Sequence, residues 1–141
     1  QYKQNKVTTF VKKAKHRIKS IKPCVEVSVA IFPDIESAKQ LKMQDWQTWI
    51  NNHYIDALTP LILGSSPQEL QTHMHHLKRL TPKEIKIYPG VFGAFNNDSS
   101  VILIGQILSA KKGKADGVNL FDYKHLIDKY EKALKLGVFA F

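Results

Sequence analysis

Two aspartates follow apolar, β-type runs of the chain, and they are the acids best placed to do chemistry. Asp34 comes just after the run 24–32, and Asp122 lies near the end of the run 117–123. Enzymes built on parallel sheets act at the carboxyl ends of their strands. A pair of carboxyl groups there can supply an acid and a base or nucleophile. Both residues also have ordinary structural roles, because Asp34 can cap a helix and Asp122 can begin a turn.

These aspartates are positioned by a fourfold alternation of strand and helix. The runs that read as strands are 24–32, 54–63, 84–92 and 117–123, each followed or separated by helical stretches. A parallel neighbour cannot be reached by a hairpin, so the pattern predicts an α/β fold with a parallel sheet and crossover helices. Units of roughly 30 residues match a βα repeat, and four units are half of a (β/α)8 barrel. A small doubly wound α/β domain is the alternative.

Residue spacing predicts which side chains form the core. Trp46 and Trp49 recur at a helical step, which favours packing over sugar binding. In the strand 24–32, alternate aliphatic residues are expected to face the helices, while the mixed face points to a barrel interior or second layer. Ser66, followed by Pro67 and Glu69, predicts a capping box. The first helix has one apolar stripe, formed by Val7, Phe10, Val11, Ala14, Ile18 and Ile21.

Length and composition fit one α/β domain over residues 1–141, or a half-barrel fragment of a longer chain. The 141 residues are 43% hydrophobic and carry a formal net charge of +9. The lysines of the first helix surround its apolar stripe as a solvated face, and no nucleic-acid module is present, so nucleic acid is not an expected partner. No stretch is long and apolar enough to span a bilayer. The single cysteine, Cys24, is predicted to be buried.

Neither a metal nor a cofactor is expected. His73 and His76 could share a helix face, but no further ligand follows at a matching step, so exposed histidines are the simpler interpretation. The first strand-to-helix turn lacks the glycines of a phosphate-binding loop, which argues against a nucleotide.

Four segments of the chain together resemble a known family. They are FVKKAKHRIKSIKPCVEVSVAIFP, QDWQTWINNHYIDALTPLIL, IKIYPGVFG and GVNLFDY. Their succession is similar to the carboxyl-terminal half of the glycoside-hydrolase-like family 10 domain, over nearly the whole chain. The resemblance implies strands five to eight of a (β/α)8 barrel, a glycosidase-like activity, and an exported or cell-envelope location.

The resemblance also identifies what the chain lacks. Family members carry an acidic cluster at the end of the fourth strand, which would lie upstream of Gln1. Glycoside hydrolysis needs two carboxyl groups that flank the scissile bond. Glu26, Asp56 and Glu84 lie low in their strands, on the stabilising side of a barrel. Asp34 and Asp122 therefore remain the catalytic candidates. A tyrosine that the family has after the proline of the second strand is replaced here by Leu61, Ile62 and Leu63.

A carbohydrate ligand implies sugar contacts from residues near strand ends. Aromatic rings suit the apolar faces of pyranose rings, although core packing explains them equally well. The predicted substrate-binding residues are Tyr88, Phe92, Asn119, Phe121 and Tyr123. Two functions follow: part of an O-glycosyl hydrolase that acts on a polysaccharide, or a noncatalytic carbohydrate-binding or scaffold domain on the same fold.

Half a barrel has two open strand edges, which proteins usually cover or pair. We therefore expect one of three solutions: a homodimer, a missing amino-terminal half-barrel, or terminal helices that enclose the edges.

Overall fold

Strands and helices alternate along the chain, which confirms the predicted α/β class. The computed structural model describes residues 2–62, 64–93, 99–126 and 130–139. Leu63, which the sequence placed after the second strand, lies outside the described residues. The elements are α1 Tyr2–Ile21, β1 Ser28–Ile31, α2 Ile35–Lys42, α3 Trp46–Asn51, β2 Ala57–Pro60, α4 Pro67–Leu80, β3 Lys86–Ile87, β4 Gly90–Phe92, α5 Ser100–Lys112, β5 Asn119–Phe121, α6 Tyr123–His125 and α7 Glu131–Leu136.

All the described strand pairs are parallel. One sheet has the order β1-β2-β3, the other pairs β4 with β5, and a bridge between Leu61 and Gly90 connects β2 to β4. The strands thus follow one another in chain order, without a reversal among the described strands. A doubly wound sheet has such a reversal, so this order does not favour that alternative.

The strands are shorter than the sequence predicted. Pro89 has no N–H to donate to a ladder, and the run 84–92 divides there into β3 and β4. The run 24–32 forms a strand only from Ser28, because the ladder to β2 begins there. Cys24 therefore lies ahead of the ladder and is exposed. The prediction that Cys24 is buried is wrong.

The core lies between the sheet and the helices. Aliphatic residues of the strands, among them Ile31, Leu58 and Ile87, are fully buried against the helices. Trp46 and Trp49 are buried with them, which confirms the packing role predicted from their spacing. Both indole N–H groups are satisfied, because they donate to Phe32 O at 3.2 Å and to Thr8 Oγ1 at 2.9 Å.

Two helix predictions have different outcomes. The capping box of α4 is confirmed, since Glu69 N donates to Ser66 Oγ at 3.3 Å and Ser66 N donates to Glu69 Oε2 at 2.7 Å. The apolar stripe of α1 is only partly covered. Its residue Val11 packs against the core, but Phe10 is 70% exposed and Ile21 is 62% exposed.

The opposite face of the sheet is polar. The register places Ser28, Ala57 and Lys86 side by side, with Ala30 beside Thr59 on the next level. Ser28, Ala30 and Lys86 are exposed, whereas the aliphatic side of the sheet is buried. We call this surface the polar face.

The outer edge of β1 is covered at its carboxyl end by one side chain. Gln44 accepts a hydrogen bond from Phe32 N at 2.9 Å and donates to Ala30 O at 3.1 Å. The Gln44 amide thus takes the place of a neighbouring strand at these two groups. No described strand pairs with the outer edge of β1 or of β5.

Candidate functional site

Asp34 lies three residues beyond β1, at the carboxyl end of the sheet. Its Oδ1 accepts a hydrogen bond from Ser37 N at 2.8 Å, which makes Asp34 the N-cap of α2. Hydrogen bonds from the Ser37 side chain and backbone hold the pKa of this exposed carboxyl below its usual range. A general acid needs a raised pKa, so Asp34 is suited to a charged structural or electrostatic role rather than to proton donation.

Asp122 directly follows β5, also at the carboxyl end of the sheet, and its side chain is exposed. Its backbone carbonyl accepts a hydrogen bond from Leu126 N at 3.1 Å, so the residue opens the turn of helix that includes α6. Asp122 therefore occupies a strand end, as the sequence predicted, and its backbone also serves in a turn.

The two aspartates follow the outermost described strands, Asp34 after β1 and Asp122 after β5. Two strand positions lie between β1 and β5: one is filled by β2 and the other by β3 and β4 together. Three steps of about 4.8 Å therefore put the ends of β1 and β5 roughly 14 Å apart along the sheet. Glycosidase carboxyl groups lie roughly 5–9.5 Å apart. The strand spacing therefore does not bring Asp34 and Asp122 together as a catalytic pair within one chain.

Phe92 and Phe121 form the main aromatic feature of the carboxyl end. They are register partners on β4 and β5, and their rings stack with centroids 4.6 Å apart and planes 4° apart. Both side chains are half-buried. Gly90 allows this arrangement, because a Cβ at Gly90 would lie 3.2 Å from Phe121 Cε2 and 3.4 Å from Leu61 Cδ2.

The other predicted sugar contacts lie in different places. Asn119 donates to Thr59 Oγ1 at 3.1 Å, and both Asn119 and Tyr88 line a groove of about 440 Å³ on the polar face. That groove reaches Glu26, at the amino end of the sheet. Tyr123 is 77% exposed and borders a separate groove of about 340 Å³ beside α7. The structure thus brings together Phe92 with Phe121 and Tyr88 with Asn119, but not all five residues.

A family model described as glycosyl hydrolase-like 10 matches residues 1–98. The chain belongs to this family. The matched part contains α1 to β4, with Asp34, Tyr88 and Phe92, whereas β5 with Asn119, Phe121 and Asp122 lies beyond it. No curated protein matches the chain.

In this glycosyl-hydrolase-like chain, Asp56 connects α1 to the start of the sheet. It accepts hydrogen bonds from Lys15 Nζ at 2.6 Å and Val27 N at 2.9 Å, and Lys19 Nζ lies 3.1 Å away. Partial burial raises the pKa of Asp56, but the hydrogen bonds from Lys15, Val27 and Lys19 outweigh it and leave the pKa below its usual value. Asp56 is a structural anchor at the amino end of the sheet, as its position predicted.

Asp116 is a second anchor of the same kind, and the sequence analysis missed it. Its Oδ2 accepts hydrogen bonds from Lys78 Nζ at 2.7 Å and Ile87 N at 2.8 Å. Burial raises the pKa of Asp116, and the bonds from Lys78 and Ile87 more than offset this, so the pKa is lowered overall. The signal was available, because Asp116 lies directly before the run 117–123 that the sequence predicts as a strand, as Asp56 lies directly before β2.

An ion pair crosses the polar face between the anchors. Lys86 of β3 donates to Glu26, which lies ahead of β1, and the two side chains pass over Ala57 of the intervening strand. The hydrogen bond and charge of Glu26 raise the pKa of Lys86. Both groups are about half exposed, so the pair is screened by water.

The histidine pair of α4 borders a groove of about 290 Å³. His73 and His76 lie there with Pro33 and Asp34. Within residues 2–62, 64–93, 99–126 and 130–139, no group of three or more His, Cys, Asp or Glu side chains could hold a metal ion. Among the described helices, none is long and apolar enough to cross a membrane.

Proposed function

We propose that the chain forms half of a (β/α)8 barrel whose strand ends bind a polysaccharide. The barrel half is supported by consecutive parallel strands with helices packed on one face and a polar surface on the other. The carbohydrate ligand is supported by membership of the glycosyl-hydrolase-like family.

The observation that carries the ligand proposal is the stack of Phe92 on Phe121. Two parallel rings, stacked on one another at the carboxyl ends of neighbouring parallel strands, form a half-buried aromatic pair whose outer ring faces are the apolar surfaces left for a ligand. Pyranose rings pack their C–H faces on such surfaces, and the site end of a barrel is the carboxyl end of its strands.

Binding without turnover is the function that this chain supports by itself. Hydrolysis of a glycosidic bond needs two carboxyl groups on either side of the bond. Asp34 caps a helix with a lowered pKa, and Asp122 follows β5, which is three strand steps from β1. O-glycosyl hydrolase activity through Asp34 or Asp122 therefore requires a further carboxyl group close to one of them, from outside this half-barrel.

A co-sedimentation assay with insoluble polysaccharides tests the binding proposal. The panel contains cellulose, chitin and a purified bacterial cell wall, with released reducing sugar measured in the same tubes. The intact chain is expected to sediment with at least one glycan and to release no sugar. Phe121→Ala removes one ring of the stack and is expected to weaken this binding at least tenfold, a loss of about 1.4 kcal/mol.

Tyr2→Ala is the matched control, because Tyr2 is an exposed aromatic residue on α1, away from the strand ends. It should leave binding unchanged. The proposal is contradicted if Tyr2→Ala and Phe121→Ala bind equally well while both keep the circular dichroism spectrum of the parent chain.

A further inference from the structure

A groove rich in basic residues lies beside α1, at the amino end of the sheet. Its volume is about 310 Å³, and its walls are the second half of α1 and the residues that connect α3 to β2. Five of its six lining residues are lysine or histidine, so the charge of the groove favours an anionic ligand. We call it the basic groove, and it is lined by Lys12, Lys15, His16, Lys19, His53 and Tyr54.

Both walls of the basic groove belong to the described chain, so the groove does not depend on an open strand edge. Residues four apart lie on the same side of a helix. Thr8 accepts a hydrogen bond from the indole N–H of Trp49 at 2.9 Å, and Lys12 and His16 continue that side of α1 into the groove. Phe10 follows Thr8 by two positions and lies on the other side of α1. The exposed ring of Phe10 and the basic groove are therefore separate features.

Three lysines of the basic groove share one carboxylate. Asp56 Oδ1 accepts a hydrogen bond from Lys15 Nζ at 2.6 Å, and Lys19 Nζ lies 3.1 Å from Asp56 Oδ2. Lys12 forms no ion pair with any acid in the described part of the chain, and its Nζ lies 5.5 Å from the centroid of the Tyr54 ring. The groove therefore keeps an excess of positive charge after its internal ion pairs have formed.

Folding alone does not account for this concentration of charge. Residues 1–25 contain eight lysine and arginine residues and no aspartate or glutamate. Lys12 and Lys15 are three apart, and Lys15 and Lys19 are four apart, which are spacings at which like charges destabilise a helix. Asp56 contacts only Lys15 and Lys19 among these lysines. A bound anion would offset the repulsion that remains at Lys12.

We infer that the basic groove binds an acidic polysaccharide, one that carries carboxylate groups along its chain. The contact between Lys15 and Asp56 shows that a carboxylate fits against the lysines of this wall. Lys12 and Lys19 are about 10 Å apart along the helix axis, at about 1.5 Å per residue. Basic side chains thus extend over two turns of α1, which suits a polymer with repeated carboxylates better than a single ion. Lys12 is the lysine that Asp56 leaves for the polymer.

A glycan fits the basic groove better than two other polyanions do. Single-stranded nucleic acid stacks its bases on exposed aromatic rings, but Lys12 lies over the ring of Tyr54. A lipid surface binds helices that present apolar side chains beside their lysines, and the six lining residues include no aliphatic side chain. The choice of a glycan also rests on the proposed function.

The basic groove and the aromatic stack lie at opposite ends of the sheet. Asp56 directly precedes β2, whereas Phe92 and Phe121 are the last residues of β4 and β5. Substitutions can therefore disable the two sites one at a time, and the failure of one proposal can be told apart from the failure of the other.

Calorimetric titration of the intact chain with polygalacturonate tests the inference. Lys12→Glu should weaken binding at least tenfold, while Lys12→Arg should keep it because the charge is preserved. Lys112→Glu is the matched control, since Lys112 is an exposed lysine at the end of α5 and the substitution changes the net charge equally. Raising the salt from about 0.1 M to about 1 M shortens the Debye length from about 10 Å to about 3 Å and should also weaken binding at least tenfold.

NMR signals locate the binding. The ring signals of His53 and Tyr54 should shift with polygalacturonate and saturate, while those of Tyr123, an exposed ring beside another groove, should stay in place. Unshifted His53 and Tyr54 signals, or equal losses in Lys12→Glu and Lys112→Glu, would overturn the inference. Tighter Lys12-dependent binding of single-stranded DNA or of phosphatidylglycerol vesicles would overturn the choice of a glycan.

Two further outcomes separate this inference from the proposed function. Lys12→Glu should still sediment with cellulose or chitin whenever the parent chain does, because these glycans carry no carboxylate. A parent chain that sediments with them but does not bind polygalacturonate overturns the basic groove and leaves the proposed function intact. A chain that binds polygalacturonate through Lys12 but sediments with no glycan supports the groove and contradicts binding at the aromatic stack.

Discussion

At the scale of single residues, three of the described aspartates hold backbone N–H groups. Asp34 accepts the N–H of Ser37, Asp56 that of Val27, and Asp116 that of Ile87. Hydrogen bonds of this kind favour the charged carboxylate and lower its pKa, which is the opposite of what a general acid requires. The aromatic stack is the better candidate for ligand contact.

Two substitutions separate the helix-capping role of Asp34 from a role in glycan binding. Asn is as good an N-cap as Asp, whereas Ala cannot accept the Ser37 N–H. We expect Asp34→Asn to keep the thermal midpoint of the parent chain and Asp34→Ala to lower it, with glycan co-sedimentation unchanged in both. If the two variants lose stability equally, the capping role is wrong.

The sequence located Asp34 as a cap and placed Phe92 and Phe121 at strand ends, but it did not show which aromatics meet. The stack depends on the register of β4 with β5 and on the space left by Gly90, and neither is visible in a linear pattern. Tyr123 looked equivalent to Phe121, yet it begins α6 and lies in another groove.

At the scale of elements, the periodicity of the sequence predicted whether a segment is a strand or a helix better than it predicted where that segment begins and ends. The third run is broken because Pro89 cannot donate to a ladder. Cys24 and Val25 belong to an apolar run, but they precede the ladder with β2 and stay exposed. Whether a residue of such a run is buried depends on which strand lies beside it, and the sequence of the run itself does not show this.

The connection between α1 and the sheet depends on Asp56, and its strength should depend on pH. Asp56→Asn removes the charged partner of Lys15 and Lys19 and is expected to lower the free energy of unfolding by about 2 kcal/mol near pH 7. The folded-state pKa of Asp56 lies below its usual value of 3.8. The stabilisation is therefore fully present above that value and lost as the pH falls through the lower, folded-state pKa.

Urea unfolding at pH 7, 5 and 3 measures this effect. The difference between the parent chain and Asp56→Asn should be similar at pH 7 and pH 5 and smaller at pH 3. A difference that grows on acidification would contradict the assignment.

At the scale of the whole molecule, the chain has an α/β organisation: consecutive parallel strands, helices on one face, and a polar face on the other. The family match covers residues 1–98, which include the elements from α1 to β4. The carboxyl end of such a sheet is where a ligand is expected.

The most direct test of the central claim is a titration of the chain with soluble oligosaccharides from any glycan that it sediments with, followed by the NMR signals of the phenylalanine rings. Binding at the stack predicts that the signals of Phe92 and Phe121 shift together and saturate, while those of Phe10, an exposed ring on α1, stay in place. Saturable binding that leaves both stacked rings unshifted would contradict the account.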